Sequence, residues 1–245
     1  MPHKISRTDG DVVQPTVQLD LEGFTPSESD ADGIAMLLKH LFHSSPTAKE
    51  LADYIVEHSH CATVVRPSEE SGDESDEDTD DPAIVLSLTT AVSLAAAEGE
   101  KHSVIKQLRQ FLMDIISDAA ACAEKDTLLS YFSPSSPTRL FLFLNERFDT
   151  FPLSICADAV AGLPAELKEA NLNPTDLLLL TRAHRSHGEI EYAYPEVEKI
   201  IPFSSVHLQV TNKSATDEED FNTFFLSIVP MSRFPDVLEN LRRDL

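Results

Sequence analysis

The chain has 245 residues and 27.1 kDa, enough for one large domain or two small ones, and 42% hydrophobic residues at a mean hydropathy of −0.16 supply a core. Nineteen Lys+Arg against 42 Asp+Glu give a net charge of −23, which repels nucleic-acid phosphates and anionic membrane surfaces and suits a basic protein partner. Three scattered cysteines, Cys61, Cys122 and Cys156, form no CxxC, and the N-terminus has no apolar run, so the reading is cytosolic or nuclear and not a secreted disulfide framework.

Residues 1–16 are polar and aperiodic and read as a flexible tail. The alternation Val17-Gln18-Leu19-Asp20-Leu21-Glu22 predicts a half-buried strand. Ser29, Asp30 and Asp32 supply a cap and a negative first turn for a helix, on which Ile34, Leu37, Leu38, Leu41 and Phe42 form one apolar stripe. Thr47-Ala48-Lys49-Glu50 reads as a capping box that opens a second helix, with Leu51, Tyr54 and Ile55 inward. Residues 62–65 follow as a short strand.

Segment 67–82, PSEESGDESDEDTDDP, holds nine acids and neither a basic nor an apolar side chain. The acids are Glu69, Glu70, Asp73, Glu74, Asp76, Glu77, Asp78, Asp80 and Asp81. Nothing in the segment offsets its ordering entropy, so it is expected to be a disordered loop. Its acids are the candidate contacts for a basic partner, and without them the remainder still carries −14. Ser71 and Ser75 each have an acid three residues on, the pattern acidophilic kinases prefer, and are candidate phosphorylation sites.

Residues 84–88 restart a strand, so the acidic loop is expected to join two neighbouring strands. A helix follows over about 103–123, lined by Val104, Ile105, Leu108, Phe111, Leu112, Ile115, Ile116 and Ala119. Leu140-Phe141-Leu142-Phe143-Leu144 is a continuous apolar strand, as expected where both faces are buried. A helix from Pro152 is expected to stop at Gly162, with Pro164 beyond it. Strands are read at 177–180, 189–194, 206–210 and 224–229, and an amphipathic helix at 234–245. Alternating strands and helices imply one α/β domain over 17–245, a mixed sheet covered by helices and interrupted by the acidic loop. Its strand–two helices–strand opening resembles the acetyltransferase (GNAT) fold.

That resemblance implies a backbone loop for the acetyl-CoA pyrophosphate, R/Q-x-x-G-x-G/A, ahead of a helix. The stretch read as its counterpart is Ala95-Ala96-Ala97-Glu98-Gly99-Glu100-Lys101. Ala96 stands where Arg or Gln belongs, Lys101 ends it, and Glu98 and Glu100 would repel the phosphates. A second partial match, Arg185 to Ile190, also lacks the final small residue. No GxGxxG, P-loop, GxSxG or HExxH occurs. His58, His60 and Cys61 are clustered, and His40 and His43 lie near one helical turn apart; without a CxxC or an Asp-rich box they read as polar helix ends, as His184 and His187 read as a solvated strand end. No catalytic residue, cofactor or metal is therefore expected.

Specific residues carry a closer resemblance. Val17-x-Leu19-x-Leu21-Glu22-x-Phe24, then Asp32-Gly33-Ile34-x-x-Leu37-Leu38, an acidic loop between two strands, Leu142-x-Leu144-Asn145-Glu146-Arg147-Phe148 ahead of Pro152, and Leu226-x-Ile228-Val229-Pro230 are together similar to the BCCIP family of eukaryotic nuclear proteins. The resemblance implies a GNAT-like fold without the acetyl-CoA site. It also implies a non-enzymatic nuclear chaperone or adaptor that holds a basic large-subunit ribosomal protein, supports 60S biogenesis and nuclear export of cargo, and shuttles to the cytoplasm. The alternatives are a cell-cycle or DNA-repair binding protein, a histone-type acidic chaperone and an acetyltransferase.

Overall fold

The computed structural model describes residues 20–42, 48–68, 84–148, 150–186, 189–211 and 223–243. The predicted tail, Val17, His43, Thr47, His187 and the nine loop acids with Ser71 and Ser75 lie outside the described residues.

In chain order the elements are β1 (Leu21–Phe24), α1 (Ala31–Leu38), α2 (Ala48–Glu57), β2 (Ala62–Pro67), β3 (Ser87–Ser93), α3 (Ala96–Lys101), α4 (Ser103–Asp118) and α5 (Ala123–Tyr131). Then come β4 (Leu140–Arg147), α6 (Leu153–Glu169), β5 (Asp176–Ser186), β6 (Glu189–Tyr192), α7 (Glu196–Ile200), β7 (Val206–Thr211), β8 (Thr223–Pro230) and α8 (Phe234–Arg242). All the described strands join one sheet in the order β1-β2-β3-β4-β5-β8-β7, with β6 paired to the far end of β5. The expected mixed α/β architecture is present, including the strand–two helices–strand opening.

The continuous LFLFL run resolves into two faces. Leu140, Leu142 and Leu144 pack with Ile34, Leu51, Leu108 and Leu112 of α1, α2 and α4, while Phe141 and Phe143 pack with Leu163 and Leu167 of α6 and Val237 of α8. A strand buried on both faces has no polar side to show, which is why alternation vanishes there. β4 and β5 are the one parallel pair among the described strands, in register from Leu140↔Asp176 to Phe143↔Leu179, with α6 as the crossover such a pair needs. β3 pairs β2 directly, so the acidic run does join neighbouring strands.

Several boundaries differ from expectation. α6 continues through Gly162 and Pro164 to Glu169, because Val160, Leu163 and Leu167 form one buried stripe and the Thr63 hydroxyl donates to Glu166 Oε1 at 2.6 Å. The stop comes at Asn171, whose φ of 57° is the left-handed conformation of a helix C-terminus; the Leu172 N–H donates to the Leu167 carbonyl at 2.8 Å across it. The helix predicted over 103–123 is α4 and ends at Asp118; Lys125 Nζ donates to the Ala119 carbonyl (2.8 Å) just beyond that end, and a separate helix, α5, follows with Leu128 fully buried. Pro67 pairs with Leu21 and the Ser68 N–H donates to the Asp20 carbonyl at 2.8 Å, so both belong to the sheet edge and not to the loop. β3 starts at Ser87 and not at residue 84; Ile84 is 65% exposed. α3, α5 and α7 have no counterpart in the sequence reading.

Candidate functional site at the fork of β4 and β5

The parallel pair opens into a fork. β4 runs on past Phe143 to Arg147, and β5 takes a new partner, β6, from Ala183↔Tyr192. Backbone groups of β4 that would face β5 need other partners there, because a buried N–H or C=O is costly when unpaired. Tyr194, just after β6, supplies them: its Oη lies 3.0 Å from the Arg147 carbonyl, and the Arg147 N–H donates to it at 3.4 Å. One phenol thus replaces a strand partner.

Around that phenol sits a buried polar cluster. Arg147 donates through Nε and Nη2 to the two oxygens of Glu196, on α7, at 3.2 and 3.0 Å, a bidentate pair with both side chains under 5% exposed. Its Nη1 donates to the carbonyls of Phe148 and Phe151, both at 3.3 Å, closing the corner between β4 and α6. The Asn145 amide donates to Glu196 Oε1 at 3.2 Å and accepts from the Thr89 hydroxyl at 2.9 Å. Glu146 Oε2 lies 3.0 Å from Tyr194 Oη. Burial pushes the Glu146 carboxyl up to about 8, and the neighbouring Glu196 charge adds to the rise. Burial also raises the Tyr194 phenol, and holds the Cys156 thiol at about 12. Beside Glu146 and Tyr194 the fork borders a partly open cavity of about 160 Å³, walled also by His40, Leu41, Thr181, Arg182 and Ala193.

The acetyl-CoA site that the acetyltransferase resemblance implies can be tested on these residues. The stretch from Ala95 to Lys101 is α3 with Ala95 as its N-cap, and it follows the antiparallel strand β3; the corner that leads into the crossover helix is residues 148–152. That corner has no glycine, Pro152 offers no N–H, and Arg147 already holds the Phe148 and Phe151 carbonyls. Tyr194 fills the backbone partners of the fork. The residues present do not fit the cofactor.

Among the described residues no group of three or more His, Cys, Asp or Glu could hold a metal ion. The Cys61 thiol donates to the Ala91 carbonyl at 3.3 Å, and His58 stacks on Tyr54 with ring centroids 4.2 Å apart. His184 is not merely a solvated strand end: its Nε2 lies 3.0 Å from Glu191 Oε2, across the β5–β6 pair. No helix among the described residues is long and apolar enough to cross a membrane.

The nine loop acids, Ser71 and Ser75 lie outside the described residues, but the strand ends that flank them are placed. β2 ends at Pro67 and β3 begins at Ser87 opposite Arg147, so the acidic run is attached at the fork end of the sheet. β7 ends and β8 begins at the pair Thr211↔Thr223, and Thr223 also pairs with Ala183 at that same end. A second acidic run, Asp217-Glu218-Glu219-Asp220, falls between them and escaped the sequence reading, although four consecutive acids were its signal.

A model of the BCCIP family matches residues 16–223. The "Protein BCCIP homolog" of Drosophila melanogaster is 26% identical over 216 residues, 82% of this chain and 72% of its own length. The human "BRCA2 and CDKN1A-interacting protein" is 25% identical over 165 residues, 66% of this chain, and the chain spans only 50% of that protein. In fold, the chain is similar to the crystal structure of BCP1 from Saccharomyces cerevisiae, with a TM-score of 0.64 at 15% identity, covering 92% of this chain and 89% of that one. With its predicted architecture present and the family match running from residue 16 to residue 223, the chain belongs to the BCCIP family.

Proposed function

We propose that this protein is a non-enzymatic nuclear chaperone or adaptor that holds a basic ribosomal protein of the large subunit, supporting 60S biogenesis and nuclear export. The observation that carries the reading is charge placed by topology. The two acidic runs of a chain with net charge −23 are both attached at one end of the sheet, beside the fork. A ribosomal protein meant for rRNA carries dense Lys and Arg; an acidic partner speeds encounter and suppresses wrong contacts. The family match supports action through binding, and the poor fit of the corner to acetyl-CoA supports a role without acyl transfer. Relatives are named for binding BRCA2 and CDKN1A, which favours a cell-cycle or repair adaptor as the second reading.

Co-purification with mass spectrometry from nuclear extract tests it. Enrichment of one large-subunit ribosomal protein is the expected result. Enrichment of core histones, or of cell-cycle and repair proteins without a ribosomal protein, would replace this reading with the corresponding alternative.

A further inference from the structure

The buried cluster at the fork holds one carboxylate, Glu146, for which no ion pair is seen among the described residues. It contains two carboxylates, Glu146 and Glu196, and one guanidinium, Arg147, which is committed in bidentate fashion to Glu196. The contact that Glu146 makes in this cluster is with the Tyr194 hydroxyl, at 3.0 Å, and its side chain is 4% exposed. Arg182, on the neighbouring wall, donates to the His40 carbonyl at 3.0 Å and lies 5.6 Å over the Phe224 ring. Hydrogen counting points the same way. Tyr194 Oη has one hydrogen and two acceptors within 3.0 Å, the Arg147 carbonyl and Glu146 Oε2. If that hydrogen serves the carbonyl, which has none of its own, the contact with Glu146 is made by a proton that Glu146 carries.

We propose that the fork cavity is a socket for one lysine side chain of the basic partner, with Glu146 as its counter-ion. The proposal rests on the function above for its ligand and names the contact that would lock it. Leu41 and Ala193 offer an apolar passage for the flexible aliphatic stem of a lysine, and the Tyr194 ring and the Thr181 hydroxyl stand near its head. The polar groups that share the cavity with Glu146 are Tyr194 after β6, Thr181 and Arg182 on β5, and His40 beyond α1; the charges of Arg147 on β4 and Glu196 on α7 also act on it. An ammonium entering the cavity gives an ionised Glu146 carboxylate a direct ion-pair partner. The proton then leaves the Glu146 carboxyl for solvent as the cation arrives. Binding is thereby coupled to proton release, and burial of Glu146 sets where that coupling operates. The acids outside the cavity gather a basic surface by charge, whereas this socket reads one side chain.

The test uses the full chain with n-butylammonium as probe and n-butanol as its uncharged counterpart, by calorimetry in two buffers of different ionisation enthalpy. Expected are saturable binding of the ammonium alone, release of about one proton at neutral pH, and affinity that rises about tenfold per pH unit below pH 8 and levels off above it. Glu146→Gln keeps the neutral hydrogen-bonding shape and should abolish both binding and proton release; Ala193→Leu should abolish binding by filling the passage. Equal binding of n-butanol, pH-independent affinity, no binding to the wild type, or full binding by Glu146→Gln would each overturn the socket. Capture of a ribosomal protein by a chain that does not bind the ammonium would leave the function standing and the socket wrong. Ammonium binding with no ribosomal protein captured would do the reverse.

Discussion

Tyr194 carries more of the fork than its size suggests. Its hydroxyl serves the Arg147 N–H and C=O at once, so Tyr194→Phe leaves both without that partner inside a buried site. A loss of about 1–3 kcal/mol is expected, measured by urea denaturation. Glu146 makes stability depend on pH with a definite sign. Its folded carboxyl titrates near 8, above the ordinary 4.5, so the folded state holds a proton that the unfolded state releases. The corresponding stabilisation is complete below about pH 4.5 and is lost as pH rises towards 8, by at most about 1.4 kcal/mol per pH unit. Many other carboxylates also titrate, so the measurement is the difference between wild type and Glu146→Gln across pH 5 to 8. The wild type is expected to lose stability relative to Glu146→Gln steadily with rising pH; a constant difference would mean that Glu146 is ionised in the folded protein throughout.

At the scale of elements, α6 shows tertiary packing overriding a local stop signal. A proline within a helix removes one hydrogen bond and crowds the preceding turn, at a cost of about 3 kcal/mol. Burying Leu163 and Leu167, which are at most 2% exposed, offsets it. Two substitutions separate these terms. Leu167→Ala should cost about 2–5 kcal/mol through the cavity it leaves. Pro164→Ala should leave the fold unchanged and raise the denaturation midpoint, because an alanine restores the helical N–H without touching the stripe. A fall in stability for Pro164→Ala would show that the ring itself packs productively.

For the whole molecule, the charge pattern predicts a division of labour. Removing residues 69–81 deletes nine acids and no apolar anchor. The described sheet keeps its pairing between β2 and β3, and loop-closure entropy changes only slowly with length. The melting temperature should therefore hold. Association with the basic partner should slow, and its salt dependence should flatten, because screening at physiological salt limits these acids to about 8 Å. Stopped-flow association at low and high salt on both proteins measures this. Binding abolished at every salt concentration would instead make the run the recognition element. Calorimetry with acetyl-CoA should show no micromolar binding, given the corner at 148–152 and the filled fork.

Much of the architecture was legible before any coordinate. Periodicity exposed the stripe of α1, the two-sided burial of β4 and the mixed α/β order, because these depend on neighbours two to four positions away along the chain. Net charge and the acidic run pointed to a basic partner for the same reason: composition needs no folding. The fork was not legible in that way. Asn145-Glu146-Arg147 at the end of a buried apolar strand was its one local signal. The side chains that give it meaning, Tyr194 and Glu196, come from 48 and 49 residues further on, after a helix and two strands. Which carboxylate pairs with Arg147, which is left to hold a proton, and where the second acidic run attaches were decided by the parallel pairing of β4 with β5 and by its abrupt end. Contacts across a sheet are set by register and by where strands part, and nothing in a window of sequence encodes the distance between two windows.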